Sequence, residues 1–226
     1  MANQAQGDVV LAATRILIVD DHPLFREALK QAISGGIDHA EIAQAGSLDA
    51  ARGQLDQHDG FDLVLLDLRM PGVQGLSGLI FLRAQYPNVP IVIVTAAEDH
   101  GLVQRALSLG ASGFIPKSSR TATIVQAIND VLNGGISVPE GFGQSGAQDR
   151  EAIDIARRIA TLTAQQIRVL MMLKEGLLNK QIAYELNVSE ATIKAHVSAI
   201  LQKLNVSSRT QAVIAAGRID GVQTEG

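Results

Sequence analysis

The sequence predicts an α/β fold, a five-stranded doubly wound parallel sheet, joined to a second, all-α domain. Three observations carry this expectation. Short apolar runs alternate with segments of helical period over about 120 residues. The run Leu63-Val64-Leu65-Leu66 is too short for a helix, is closed by Asp67 and then by Pro71-Gly72, and has the unbroken apolar character of a strand buried on both faces. Beyond residue 135 the strand signal stops and only helical periods remain.

In chain order, Ile16 to Val19 form a β-branched-rich strand ending in Asp20-Asp21, and Pro23 opens a helix at its favoured first position. Leu24, Phe25, Ala28, Leu29, Ala32 and Ile33 recur at helical spacing until Gly35-Gly36 end it. A weaker strand near Glu41 to Ala45 leads to a helix capped by Ser47, and the Leu63 strand then delivers Asp67. A helix from Ser77 to Tyr86 is followed by a strand, Ile91 to Val94, that ends at Thr95. A helix with Leu102, Ala106 and Leu109 stops at Gly110, the short strand Gly113 to Ile115 runs into Pro116-Lys117, and a helix spans Thr121 to Asn133. Right-handed crossovers put every strand's carboxyl end on one edge, so Asp20, Asp21, Asp67, Thr95 and Lys117 should meet there.

The 226 residues suffice for two modest domains, each with a core of its own. With no cysteine, disulfides and thiolate metal sites are excluded. The first fourteen residues carry no Lys or Arg, and no apolar run approaches ~18 residues, so neither a secretory signal nor a membrane span is predicted. Residues 1–13 are expected to be a disordered leader, and the protein to be cytoplasmic. The net charge of -4 is unevenly distributed. Residues 1–140 hold 9 basic and 15 acidic side chains, whereas 163–212 hold 6 and 3. The first half suits a cation and the second a polyanion.

Three carboxylates converging on one point repel one another unless a cation sits among them, and oxygen-only ligands with no His or Cys suit Mg²⁺. Lys117 brings a fixed positive charge opposite Asp67, and the Thr95 hydroxyl can bond an oxygen added there. Such a pocket can stabilise a phosphoryl group in transfer, with Asp67 as nucleophile and temporary carrier. Each residue alone has an ordinary structural explanation, such as a helix cap or a solvated strand end. The combination on one edge does not.

The segments Ile16-Leu-Ile-Val-Asp-Asp-His-Pro-Leu-Phe-Arg-Glu-Ala-Leu29, Asp67-Leu-Arg-Met-Pro-Gly72, Thr95-Ala96 and Gly113-Phe-Ile-Pro-Lys-Ser118 closely resemble the receiver domain of two-component response regulators, over about residues 14–134. The resemblance implies a flavodoxin-like receiver fold in which Asp67 accepts a phosphoryl group from a sensor histidine kinase. It also implies Mg²⁺ held by Asp21, Asp20, Asp67 and the backbone carbonyl of Arg69. Lys117 would pair with phosphoryl oxygens, and Thr95 with Phe114 would form a switch pair, Phe114 swinging inward after phosphorylation. Two departures bear on the switch and not on the phosphoryl chemistry: the switch aromatic is often Tyr but is Phe114 here, and proline precedes Lys117 where many receivers have it after.

Residues 135–157 are expected to be a linker and linker helix, rich in turn formers over 136–147 and permitting relative domain motion. The second domain is expected at 158–223. Thr163-Ala-Gln-Gln166 fits a capping box, Asn179 to Leu186 a two-turn helix, and Ser189 a cap for a helix from Glu190 to Leu204. That spacing predicts a helix-turn-helix. On the third helix Ile193, Val197, Ile200, Leu201 and Leu204 form an inward stripe. Ala191, Ala195, Ser198, Ala199 and Gln202 lie opposite, flanked by Lys194, Thr192, His196 and Lys203, a face suited to the DNA major groove.

Leu162-Thr163, Gly176-Leu-Leu-Asn-Lys-Gln-Ile-Ala183, Ser189, Thr192-Ile-Lys-Ala-His196, Lys203-Leu204, Val206 and Arg209 look like the LuxR-type DNA-binding domain, with Gln166 where that pattern usually has Glu. The pairing with a receiver is similar to the NarL/FixJ family of transcription regulators. This resemblance implies that Lys194, Ala195 and Ser198 face bases, that Lys180, Thr192, His196 and Lys203 lie near the backbone of double-stranded DNA, and that the protein forms a homodimer. The apolar helix after Arg209 either supplies the dimer seam or closes its own domain. The expected function is a phosphorylation-controlled transcription regulator and not an enzyme. A phosphohydrolase using Asp67 would want a second acid two residues on, where Arg69 stands. A sensor of a small apolar signal would want an aromatic-lined pocket, and aromatics are 3%. A receiver that works without phosphate stays open.

Overall fold

The computed structural model describes residues 13–57, 60–71, 73–97, 99–141 and 147–219. Residues 1–12 of the expected leader, residues 142–146 within the expected linker, and the chain beyond 219 lie outside them. In the first domain β1 (Thr14–Val19), α1 (Pro23–Gly36), β2 (Ala40–Ala45), α2 (Leu48–Gln57) and β3 (Leu63–Leu66) come first. The short strands β4 (Arg69–Met70) and β5 (Val73–Gln74) follow, then α3 (Ser77–Gln85), β6 (Ile91–Thr95), α4 (His100–Ser108), β7 (Gly113–Pro116) and α5 (Thr121–Leu132). The predicted strands and helices of this domain are all present; the antiparallel β4–β5 pair is an addition.

The five long strands form one parallel sheet in the order β2-β1-β3-β6-β7. The chain leaves β1 for one side and crosses back to the other between β2 and β3, so the crevice between the carboxyl ends of β1 and β3 is the topological switch point. Alternation along the strands separates two apolar layers. Leu17, Val19, Val64, Leu66, Ile91, Ile93 and Phe114 face α2, α3 and α4. Ile16, Ile18, Leu63, Leu65, Val92, Val94 and Ile115 face α1 and α5. Because β3 carries apolar residues for both layers, its sequence shows no polar alternation, as a central strand requires.

The second domain contains α6 (Ala147–Ala160), α7 (Ala164–Lys174), α8 (Asn179–Glu185), α9 (Glu190–Leu204) and α10 (Arg209–Ile219). The capping box is present: Thr163 Oγ1 accepts from Gln166 N at 3.3 Å, and Gln166 Oε1 accepts from Thr163 N at 3.0 Å. Ser189 Oγ accepts from Thr192 N at 3.1 Å to start α9, and Asn205, left-handed at φ 55, ends it. Among the described residues no helix is long and apolar enough to cross a membrane.

The linker departs from its expected form at both ends. Phe114 N donates to Ser137 O at 2.9 Å and Ser137 N to Ser112 O at 3.2 Å, so the chain after α5 adds a short parallel bridge that covers the edge strand β7. At the other end α6 packs against α4 of the first domain and against α9 and α10 of the second, while α3 packs against α7. The expected separate cores are therefore joined. One buried apolar cluster runs from the sheet face through Val103 and Ala106 of α4 to Ile155, Ala156 and Ile159 of α6 and on to the bundle.

Tyr86, just past α3, donates to Asp56 Oδ1 on α2 at 2.6 Å. Burial and the bond to Asp56 push its phenol up from 10.0 to about 12. A group whose folded value is raised stabilises fully below its unfolded value and loses that contribution as pH rises through the folded one. The α2–α3 link is thus complete below pH ~10 and weakens toward pH ~12. A phenolate titration by ultraviolet absorbance should show a step near pH 12 that Tyr86→Phe removes; its absence from the unaltered protein would place this hydroxyl in water.

Candidate functional site

The ladder fixes the acid pocket. Asp67 N donates to Val19 O at 2.8 Å and Asp20 N to Ala45 O at 3.0 Å, so the first residue beyond β1 and the first beyond β3 stand side by side at the switch point. Both Asp20 and Asp67 are 2% exposed. Lys117, just past β7, reaches between them: its Nζ donates to Asp67 Oδ2 at 2.8 Å and lies 2.6 Å from Asp20 Oδ2. Lys117 thus forms an ion pair with each of the two carboxylates. Burial by itself pulls the Lys117 ammonium toward neutrality, but its bonds to Asp20 and Asp67 outweigh that and hold its pKa above the ordinary lysine value. The ammonium also sits 4.6 Å from the centre of the Phe25 ring on α1, a cation–π contact.

Pairing with Lys117 uses one oxygen of Asp67. The other, Oδ1, is buried with no hydrogen-bond partner among the described residues. Asp21 is half-buried, and its Oδ1 lies 2.8 Å from His22 Nδ1, which is also 3.2 Å from Asp20 Oδ1. One donor atom from each of Asp20, Asp21, His22 and Asp67 falls within 4.8 Å of the others. Three carboxylates against one ammonium leave the pocket net negative, and a buried carboxylate oxygen without a partner is costly. The donor set therefore fits a divalent cation of the Mg²⁺ class. Arg69 lies on the β4–β5 pair just beyond Asp67, its side chain exposed.

Thr95 is fully buried at the end of β6, its Oγ1 accepting from Ala97 N at 3.3 Å and its carbonyl accepting from Lys117 N at 2.8 Å. It thus joins the lysine segment to the loop entering α4. Phe114 is 1% exposed. The ring packs among the residues of the sheet face, so in this conformation the inward position expected of it is already taken up. Sequence reasoning missed two neighbours of the pocket, His22 and Phe25. The His22-Pro23 pair at a helix start was the available signal for the first; nothing in spacing announces the second.

In the second domain α9 presents the expected face. Ile193, Ile200 and Leu204 are buried and Val197 and Leu201 half-buried, whereas Ala191, Thr192, Lys194, Ala195, Ser198 and Gln202 are exposed and His196 and Ala199 half-exposed. Lys180 on α8 is exposed as well. Lys194 pairs with Glu190 at 3.2 Å across one turn, a surface contact that DNA phosphates can displace. Lys203 departs from its expected place near the DNA backbone. Its Nζ donates to Thr161 O at 2.8 Å and to Gln166 Oε1 at 2.9 Å, fastening the end of α9 to the capping box of α7. The buried Gln166 amide oxygen supplies the acceptor there, which makes Lys203 a structural cation. Arg209 likewise donates to Leu177 O and, at 3.4 Å, to Asn179 Oδ1. Ala212, Ala215 and Ala216 of α10 close their own domain, leaving Ile214 outward.

Two family models match this chain: the response regulator receiver domain over residues 16–129, and the bacterial regulatory proteins of the luxR family over 160–216. The chain belongs to the response regulators that join a receiver to a LuxR-type DNA-binding domain, and it is a phosphorylation-controlled, DNA-binding transcription regulator. It is similar to the glycerol metabolism activator of Pseudomonas putida, 45% identical over 91% of this chain and 96% of that protein. It is also similar to the nitrate/nitrite response regulator protein NarP of Escherichia coli, 35% identical over 88% of this chain and 93% of the other. Among solved structures the RcsB response regulator of Salmonella typhimurium shares the fold, with a TM-score of 0.54 and 20% identity over 92% of this chain and 100% of that one.

Two outcomes test this geometry. Magnesium binding should stabilise the folded chain by mass action, by about 1.4 kcal/mol at ten times its Kd. In thermal melts Asp21→Asn should start more stable than the unaltered protein in chelator, because one repulsive charge is gone, and should lose the Mg²⁺-dependent rise. Lys203→Met should lower the unfolding free energy, read from denaturant titration, by roughly 1–3 kcal/mol, as expected for a bond to a charged group, with the salt dependence of DNA binding unchanged; a flatter salt dependence would return Lys203 to the DNA interface.

Proposed function

We propose that Asp67 is the phosphoryl acceptor, receiving its phosphoryl group from the phosphohistidine of a sensor kinase. The observation that carries this is the division of labour within one carboxylate: Lys117 pins Oδ2, and Oδ1 is buried, unpaired and presented to the crevice. As Oδ1 attacks phosphorus, the new O–P bond forms while the P–N bond to the donor imidazole breaks, its electron pair returning to the ring nitrogen. Mg²⁺, held by Asp20, Asp21 and Asp67 with the Arg69 backbone carbonyl, would neutralise charge on the phosphoryl oxygens. Lys117 supplies a second positive charge from the opposite side. Asp20 and Phe25 keep that ammonium in place.

The signal leaves through Thr95. A phosphoryl oxygen on Asp67 accepts the Thr95 O–H, and the shift of Oγ1 toward it weakens the bond that Oγ1 accepts from Ala97 N, loosening the loop before α4, whose first turn Asp99 caps by accepting from Gly101 N and Leu102 N. Every side chain described on α4 is buried or half-buried, and α6 lies against this helix, so a shift at its start is felt by the second domain. DNA is then bound by a homodimer, with Lys194, Ala195 and Ser198 toward bases and Lys180, Thr192 and His196 toward phosphates. Activity as a phosphohydrolase is disfavoured because Arg69 stands where a second acid would be needed and its side chain is exposed.

Incubated with Mg²⁺ and a small acyl phosphate, the protein should gain the mass of one PO₃ unit, and Asp67→Asn should abolish the gain. Labelling of that variant at the same level would remove Asp67 from the role. In DNA-binding assays Lys180→Ala should weaken all sequences alike and reduce the salt slope by about 1.

A further inference from the structure

Helices α6 and α9 are tied together at their C-terminal ends by two bonds that run in opposite directions. Arg158 Nη1, in the last turn of α6, donates to Leu204 O at the end of α9 at 3.0 Å. Lys203 Nζ, in the last turn of α9, donates to Thr161 O, just past the end of α6, at 2.8 Å. Carbonyls at a helix C-terminus have no partner within the helix and carry the negative end of its dipole, so each helix supplies the cation that the other needs. The Arg158 guanidinium is also braced from its own helix, its Nη2 lying 2.6 Å from Asp154 Oδ2 one turn earlier. That fork gives it a fixed direction. Ile155, Ala156 and Ile159 of the same helix are buried in the apolar cluster that includes Val103 and Ala106 of α4.

We propose that Arg158 is a positioning residue for DNA reading. Through its bond to Leu204 O, with Lys203 returning the tie, it makes α6 and α9 move as one lever, so that a displacement of α4 in the receiver tilts the reading helix. This deepens the function proposed above and rests on Asp67 as phosphoryl acceptor for the trigger alone. The apolar contact between α6 and the bundle is non-directional, whereas two opposed hydrogen bonds fix the angle between the helix ends. Ala195 stands roughly 13 Å along the axis from Leu204 at ~1.5 Å per residue, so a tilt of about 10° at the tie moves it by about 2 Å. A hydrogen bond to a base edge does not survive a shift of that size. The exposed face of α9 is thus governed from its opposite end without being covered.

The test uses the full chain in Mg²⁺, with and without a small acyl phosphate. Arg158→Met should gain the same PO₃ mass as the unaltered protein and, unphosphorylated, bind DNA within about twofold of it at the same salt slope, since this cation meets no phosphate. The change in DNA affinity on phosphorylation should shrink by roughly threefold or more. Arg158→Lys, which keeps a donor for Leu204 O, should retain that change. Lys203→Met breaks the opposite bond, should shrink the change in the same way, and serves if Arg158→Met does not fold. Paired spin labels test the lever without phosphorylation. The chain has no cysteine, so Gln31→Cys on α1 and Gln202→Cys on α9 place one label on each domain. Their distance distribution should be narrow and should broaden when Arg158→Met is added. An unchanged distribution, a full phosphorylation-dependent change in Arg158→Met, or an equal loss in Arg218→Met, which breaks only the exposed Glu151–Arg218 pair between α6 and α10, would each overturn the proposal. Absence of the mass gain in the unaltered protein would instead count against Asp67 as acceptor, with the label distances still deciding the lever.

Discussion

The first domain is arranged around one buried electrostatic contact: the Lys117 ammonium between Asp20 and Asp67 at the carboxyl edge of the sheet. Burying two carboxylates 2% exposed is tolerable only if a cation is held against them, and that requires strand ends from three separate parts of the chain to be brought within a few ångströms. The parallel order β2-β1-β3-β6-β7 does this by setting β1 beside β3 and β7 one strand beyond β6. Pairing one Asp67 oxygen with Lys117 leaves the other buried without a partner among the described residues.

From that contact the connection to DNA runs through covalent and packed neighbours. Lys117 N is bonded to the Thr95 carbonyl, Thr95 Oγ1 to Ala97 N, and the loop so fixed begins α4. Helix α4 lies between the sheet and α6, and α6 lies between α4 and the helices α9 and α10. The receiver therefore rests on α6 and α7, while the small-residue face of α9 stays exposed. In this arrangement the first domain does not cover the reading helix. Its contact with the second domain is made through α4 against α6 and α3 against α7.

Much of the fold was legible because its elements carry strong local signals. The Leu63–Leu66 run, Pro23 at a helix start, the Thr163–Gln166 capping box and the Ser189 cap each state their structure within a few residues. The β4–β5 pair was not legible, since two residues per strand carry no period. Nor was the seat of Ser137 on β7, which depends on an edge amide at Phe114 left over by the sheet. The site shows the same division. The acids, Thr95 and Lys117 stood out as polar residues ending apolar strands; Lys203 misled because a lysine on a helix flank looks alike whether its ammonium meets a phosphate or the Gln166 amide oxygen.

The sequence by itself determined which strands and helices form and which side chains end them, because periodicity, capping and burial of an apolar run are properties of short segments. Only the tertiary structure decided that Lys117 bonds Asp67 and lies close to Asp20, that Phe114 is already inside, that His22 leans on Asp20 and Asp21, and that the two apolar cores merge through α4 and α6. Those outcomes depend on distances between residues far apart in the chain. Such distances are set by how the layers pack, and no local pattern encodes them.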